Sequence, residues 1–165
     1  MNTRTRLVAL VAHNQTKPMM MKFVSKNLDF FKRVSILTTG STGAALEKKL
    51  GLRIARKVAS GPLGGDQEIG GMVTNGDVAA AFFFVDPLSP HPHDADIRAL
   101  TRIFEVHNVL CATNLITGEA LVYALKTGAR FRQTLSKTRV GRRKESEVVE
   151  SYKAQQQRVV DAVAS

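Results

Sequence analysis

Five short apolar runs, each ended at once by a polar loop, constrain this chain more than any other feature of it. They lie at residues 7–12, 34–37, 53–58, 78–85 and 109–112, the third being the weaker, with Arg53, Arg56 and Lys57 among its residues. The first, Leu7-Val8-Ala9-Leu10-Val11-Ala12, has no polar residue on either alternating face, the pattern of a strand covered on both sides. The run at 78–85, Val-Ala-Ala-Ala-Phe-Phe-Phe-Val, is the most apolar and is expected at the sheet centre. Between the runs lie segments with helical spacing. In 17–31, Met20, Phe23, Val24, Leu28 and Phe31 recur at intervals of three and four, and in 94–107 Ile97, Leu100, Thr101 and Phe104 share a face. Segments 42–50, 67–74 and 117–126 also read as helices, with Gly51, Asn75-Gly76 and Gly128 at their ends. This alternation predicts a three-layer α/β/α sandwich with a mainly parallel five-stranded sheet. Residues 1–130 form the predicted domain, and 131–165 a basic, helical C-terminal extension.

In a parallel sheet the loops that follow the strands gather at one edge, where ligands bind. Here those loops are His13-Asn14-Gln15-Thr16-Lys17, Thr39-Gly40-Ser41-Thr42-Gly43, Ser60-Gly61-Pro62-Leu63-Gly64-Gly65-Asp66, residues 86–96, and Thr113-Asn114. Anion donors, carboxylates and histidines therefore converge on one small site, as chemistry on a phosphorylated small molecule requires. The single Cys111 excludes an intrachain disulfide and a multi-cysteine zinc site, and its apolar surroundings mark it as a small buried hydrophobe. The apolar run behind the basic first six residues is too short for a signal-peptide core, and no segment approaches the length of a membrane span, so cytoplasm is the expected location.

Each loop has a structural and a chemical reading. Thr39-Gly40-Ser41-Thr42-Gly43 has the composition of a phosphate cradle: glycines for close approach, hydroxyls to donate, and a helix N-terminus behind. It is also an ordinary helix-capping turn, and it is not a Walker motif, because no Gly-Lys-Ser/Thr follows. Lys17, four residues after His13, can reach the same edge or be a solvated lysine. Asp66 follows three glycines and a proline, and is either a general base or an N-cap. Residues 86–96 hold three of the five prolines and two of the four histidines. Here His91, His93, Asp94 and Asp96 have the residue types of a metal site, although Asp94 is also an N-cap candidate. His107 and Asn108 read as a helix end.

Taken in order and spacing, these motifs resemble the methylglyoxal synthase family. The resemblance rests on Ala-Leu-Val-Ala-His with Lys17 four residues on, Thr-Gly-Ser-Thr-Gly, Ser-Gly-Pro-Leu-Gly-Gly-Asp-Gln, Phe-Phe-Phe-Val-Asp-Pro-Leu followed by Pro-His-Asp-Ala-Asp, and Ala-Thr-Asn; it covers about residues 7–125. It implies conversion of dihydroxyacetone phosphate to methylglyoxal and inorganic phosphate, without metal or organic cofactor, in a homo-oligomer, a hexamer by preference. It also implies that Asp66 is the base at C3, that His93 bonds the enediolate oxygens, and that Asp96 assists proton movement. His13 would line the pocket, Lys17, Thr39, Gly40, Ser41 and Thr42 would hold the phosphate, and Ser60 and Gly61 would close around the substrate. Lys17 and nearby N–H groups are expected to favour the ionised form of Asp66. Asn14 stands where the family usually has an aspartate, Ser41 replaces a threonine, and the chain departs from the family pattern from about Phe131.

The same fold also serves as a non-catalytic, anion-binding regulatory domain. Such a sensor needs no base beside an electrophile, and relatives of that kind generally lack the Gly-Gly-Asp and Pro-His-Asp-x-Asp elements. A third reading starts from charge. The chain is +10 overall, and residues 126–165 carry 10 of its 24 Lys and Arg but only 4 of its 14 Asp and Glu. No aromatics interleave with the basic run at 137–144, so nucleic acid is not the expected partner. Residues 145–164 read as a separate helix whose stripe of Val148, Tyr152, Val159 and Val163 is expected to dock on the core or on a neighbouring subunit.

Overall fold

The computed structural model describes residues 6–128 and 145–164; the basic run at 131–144 lies outside them. The five strands are β1 (Leu7–Ala12), β2 (Ser35–Thr39), β3 (Arg56–Val58), β4 (Val78–Phe84) and β5 (Leu110–Ala112). All four pairings are parallel, in the order β3-β2-β1-β4-β5. The most apolar strand, β4, is therefore not the central one. That place belongs to β1, and β4 lies beside it with all seven residues buried.

Burial on both faces is visible residue by residue. Val8, Leu10 and Ala12 of β1 and Ala80, Phe82 and Phe84 of β4 enter one core. That core is completed by α1 (Lys17–Lys26), α2 (Leu28–Phe31), α3 (Gly40–Leu50) and α6 (Leu115–Thr127) through Phe23, Phe31, Leu46 and Val122. The alternate residues Ala9, Val11, Ala81 and Phe83 enter a second core against α4 (Gly65–Thr74) and α5 (Asp94–Val106), filled by Ile69, Val73, Leu100 and Phe104. A strand with period-two side chains and apolar residues at every position has no other way to hide both faces.

Local chemistry sets the element ends. The segment expected as one helix over 17–31 is two, because Asn27 interrupts it: its buried side-chain amide donates to the Phe23 carbonyl at 3.0 Å. Gly51 ends α3 in the left-handed region (φ 62°) that glycine enters without penalty. The Asn114 side chain accepts the Thr117 N–H and starts α6. Gly65 allows α4 to begin against the preceding loop, since a Cβ there would lie 2.0 Å from the Ala59 carbonyl oxygen.

The last helix, α7 (Glu147–Ala164), decides between the two docking places expected for its stripe only as far as this chain's own core is concerned. Its side chains over 150–163 are exposed, including Tyr152, Val159 and Val163, so the stripe does not dock on this core. At its start, the Ser146 hydroxyl donates to the Val106 carbonyl at the end of α5.

The chain runs β1 to β3 towards one edge, returns, and runs β4 to β5 towards the other. The reversal leaves a crevice at the C-terminal ends of β1 and β4, where this architecture places ligands.

Candidate active site

A cavity of about 460 Å³ opens at that crevice. Its wall takes His13, Asn14, Gln15 and Lys17 from behind β1, Thr39 and Ser41 from behind β2, Ser60, Gly61, Pro62 and Asp66 from behind β3, and Asp86, Ser89, His91, Pro92 and His93 from behind β4. Four of the five loops that the sequence singled out therefore meet. Of the expected residues, His13, Lys17, Thr39, Ser41, Ser60, Gly61, Asp66 and His93 line the cavity. Gly40, Thr42 and Asp96 do not: the buried Thr42 hydroxyl lies 3.3 Å from that of Thr39 and accepts its hydrogen bond, and Asp96 sits half-buried in the first turn of α5.

Asp66 is the second residue of α4, whose N-cap is Gly64, so its carboxylate is not a cap. Its side chain is 2% exposed, and Oδ2 has no hydrogen-bond partner. His93 Nε2 lies 3.8 Å from Oδ2, too long for a hydrogen bond, so both groups keep capacity for a third atom. Burial pushes the Asp66 carboxyl above the usual aspartate range, Asp96 adds to this, and His93 opposes it. The expectation that neighbouring cations would favour the ionised form is thus corrected. Desolvation wins, because Lys17 Nζ is directed to Asn14 and Ser41 and not to this carboxylate, and a buried carboxylate without donors prefers its proton. When ionised, such a group is a stronger base than an exposed aspartate.

Gly61 covers this pair. A Cβ on it would lie 2.8 Å from Asp66 Oδ2 and 2.9 Å from His93 Nε2. Only a residue without a side chain lets the backbone approach both groups.

Lys17 donates to Asn14 Oδ1 at 2.6 Å and to Ser41 Oγ at 2.8 Å. Both partners are neutral, so the ammonium charge stays available to an anion. α3 begins at Gly40, directly behind Thr39, and its first N–H groups are unpaired donors on the same side of the cavity.

His13 Nδ1 accepts the Asp86 N–H at 3.0 Å, and its Nε2 is buried without a partner. Its pKa is pushed down to about 4, by burial first and then by His91 and His93, with Asp86 opposing. His13 is therefore neutral at physiological pH. The Asp86 carboxyl is held below the usual range by the Ser89 hydroxyl and the Leu88 N–H.

The metal reading of residues 91–96 finds no support: among the described residues no group of three or more His, Cys, Asp or Glu has the arrangement to hold an ion. Asp94 instead pairs with Arg98 at 2.7 Å, and the N-cap position it was considered for belongs to His93. Cys111 is part-buried with its thiol pushed up to about 12, so it is an inert hydrophobe. Among the described residues no helix is long and apolar enough to cross a membrane.

Sequence reasoning missed Gln15, Pro62 and Ser89 as wall residues and considered His91 only as a metal ligand. Membership of the right loop was the available signal, since spacing in an irregular loop does not say which side chains turn inward.

Residues 19–113 match the family model described as the MGS-like domain. The chain is 43% identical over 122 residues to a methylglyoxal synthase of Ralstonia nicotianae, covering 74% of this chain and 90% of the relative. It is 44% identical over 123 residues to one of Brucella ovis, covering 74% and 98%. The crystal structure of methylglyoxal synthase from Elizabethkingia anophelis superposes with a TM-score of 0.67 at 34% identity, over 72% of this chain and 78% of that one. With the parallel five-stranded sheet and the cavity at its reversal point, these similarities show that the chain belongs to the methylglyoxal synthase family, a family of lyases.

Proposed function

We propose that this protein converts dihydroxyacetone phosphate to methylglyoxal and inorganic phosphate. One observation carries the reading: a buried, partnerless carboxylate and an imidazole, 3.8 Å apart, share a cavity with an uncompensated ammonium. A non-catalytic anion sensor would use the ammonium and has no need of the other two groups.

The chemistry follows from the geometry. Lys17, Thr39, Ser41 and the first N–H groups of α3 hold the phosphate at one side of the cavity. Anchoring it places the hydroxymethyl carbon, C3, at Asp66 and converts an encounter into a positioned reaction. Ionised Asp66 takes a C3 proton. The negative charge that develops on the C2 oxygen is met by N–H donors of His93 and His13, which work best from neutral imidazoles in a dry site. The C3 hydroxyl proton then passes to the C2 oxygen, a carbonyl forms at C3 as the C2=C3 pair moves to C2=C1 and the C1–O bond breaks, and phosphate departs with the bonding pair. The resulting enol takes a proton at C1 and gives up its C2 hydroxyl proton to become methylglyoxal. Asp96, one turn behind the wall, raises the basicity of Asp66 and assists the return of its proton. Ser60 and Gly61 close over the substrate. The unit that carries these residues ends near residue 130; 131–165 is an extension, and the protein works as a cytoplasmic homo-oligomer.

The direct test mixes purified protein with dihydroxyacetone phosphate in EDTA and follows methylglyoxal and phosphate. Equal release of both, competed by added phosphate, is expected. Phosphate binding without any turnover would favour the sensor instead.

A further inference from the structure

The three histidines at the cavity are not equivalent. The rings of His13 and His91 lie against each other at a 45° tilt with centroids 4.0 Å apart, and each lies 5.8 Å from His93. His91 also makes a contact that the chemistry above does not use: its Nε2 lies 3.0 Å from the carbonyl oxygen of Asp86. The N–H of that same Asp86 meets His13 Nδ1.

We propose that His91 is a positioning residue, whose Nε2–H bond to the Asp86 carbonyl and whose ring against His13 hold His13 in its Nε2–H tautomer, aimed at an oxygen of the bound triose phosphate. The inference rests on the reading of the site given above and deepens it.

Two backbone groups fix two tautomers. A peptide N–H only donates, so the Nδ1 of His13 that it meets must be a lone pair, and the proton of neutral His13 sits on Nε2. A carbonyl only accepts, so the Nε2 of His91 that meets it must carry hydrogen. His13 Nε2 is buried with no acceptor in the protein. A buried N–H donor without a partner is costly, and at the wall of a cavity it marks a place prepared for a ligand oxygen. Asp86 is followed by Pro87, and Pro90 and Pro92 flank His91. This stiff loop has few degrees of freedom, and the His91 bond spans five residues across it to pin the position of Asp86. The His91 ring, tilted against that of His13, limits how far the His13 ring can turn. His13 faces His91, His93 and Asp86, and the first two add to burial in keeping it uncharged. A charged His13 would hold protons on both nitrogens and lose the Asp86 N–H bond.

Two variants separate the bond from the ring. His91→Phe keeps an aromatic face and removes the donor; His91→Gln keeps an N–H donor and removes the ring. The readout is the pair of ¹⁵N ring shifts of His13 in the resting, substrate-free protein, with kcat and KM measured alongside. The wild type is expected to show a protonated Nε2 and an unprotonated Nδ1. His91→Phe should shift His13 to a mixture of tautomers and lower kcat about tenfold with little change in KM, because the anchoring of the phosphate is untouched. His91→Gln should restore the wild-type tautomer and part of kcat, since it supplies the bond without the ring. A wild-type His13 protonated on Nδ1 overturns the proposal, as does an unaltered His13 spectrum or unaltered kcat in His91→Phe, or a His91→Gln variant as disordered as Phe. The spectra need no turnover. If the wild type fails to act on dihydroxyacetone phosphate while the tautomer responds as described, the substrate reading falls and the lock stands.

Discussion

Asp66 combines two properties that oppose each other. A buried carboxylate without hydrogen-bond donors is a strong base when ionised, and it weakens the fold for the same reason. Its folded-state pKa lies above the unfolded value. The cost to stability is therefore absent below the unfolded pKa and appears as pH rises through the folded one. Asp66→Asn should lower kcat by about 10²–10⁴-fold while leaving the midpoint of thermal unfolding at neutral pH unchanged or raised; a variant that is both inactive and much less stable would show a structural role instead. His13 has the opposite sign. Its folded pKa of about 4 lies below the ordinary histidine value of 6.5, so the fold loses stability as pH falls from about 6.5 to about 4. Urea titrations over that window should show the loss in the wild type and a smaller one in His13→Gln. Gly61 tests the crowding of the pair. It lies outside the left-handed region, so Gly61→Ala is tolerated by the backbone and acts on Asp66 and His93 alone. Its kcat should fall about 10²-fold with the thermal midpoint held within a few degrees.

At the scale of elements, β1 and β4 hold the site, and their burial holds β1 and β4. Phe82 is fully buried against Phe23 and Phe31, with ring centroids 5.2 and 5.7 Å away. Phe82→Ala should cost about 3–5 kcal/mol in chemical denaturation. The strands were legible in the sequence because a strand buried on both faces needs an unbroken apolar run, and the loops because polar residues end such runs. The ends of elements were less legible. Asn27 splits the first helix through a bond to a carbonyl one turn back, and nothing in the spacing of Met20, Phe23 and Leu28 announces it. The choice of wall residues within a loop was open from the residues alone even at Asp66 and Lys17, and the order and spacing of the motifs pointed to His13, Lys17, Thr39, Ser41, Ser60, Gly61, Asp66 and His93, which line the cavity. Thr42 and Gly40 share the same motif as Ser41 and face elsewhere, because the start of α3 turns successive residues by about 100° each. His91 and His93 are two residues apart in a proline-rich loop, and only the fold shows that both point inward.

At the scale of the whole molecule, the site sits where the sheet reverses direction, and that topology brings residues 73 positions apart into contact, as in the bond between His13 and Asp86. The sequence supplied the strand number and the common edge. It did not supply the strand order, and so misplaced β4 at the centre. It read the stripe on the last helix as docking on the core or on a neighbouring subunit, and the exposure of 150–163 rules out the first of these. A chain of net charge +10 draws a doubly charged triose phosphate toward it. Added sodium chloride should therefore lower kcat/KM and leave kcat nearly constant. The central claim, that a proton leaves carbon for Asp66 while the phosphate stays anchored, is tested most directly by following wild type and Asp66→Asn side by side. Isothermal titration with phosphate is combined with single-turnover release of methylglyoxal from dihydroxyacetone phosphate. The account predicts equal phosphate affinity in the two proteins and methylglyoxal formation by the wild type alone; full turnover by Asp66→Asn would contradict it.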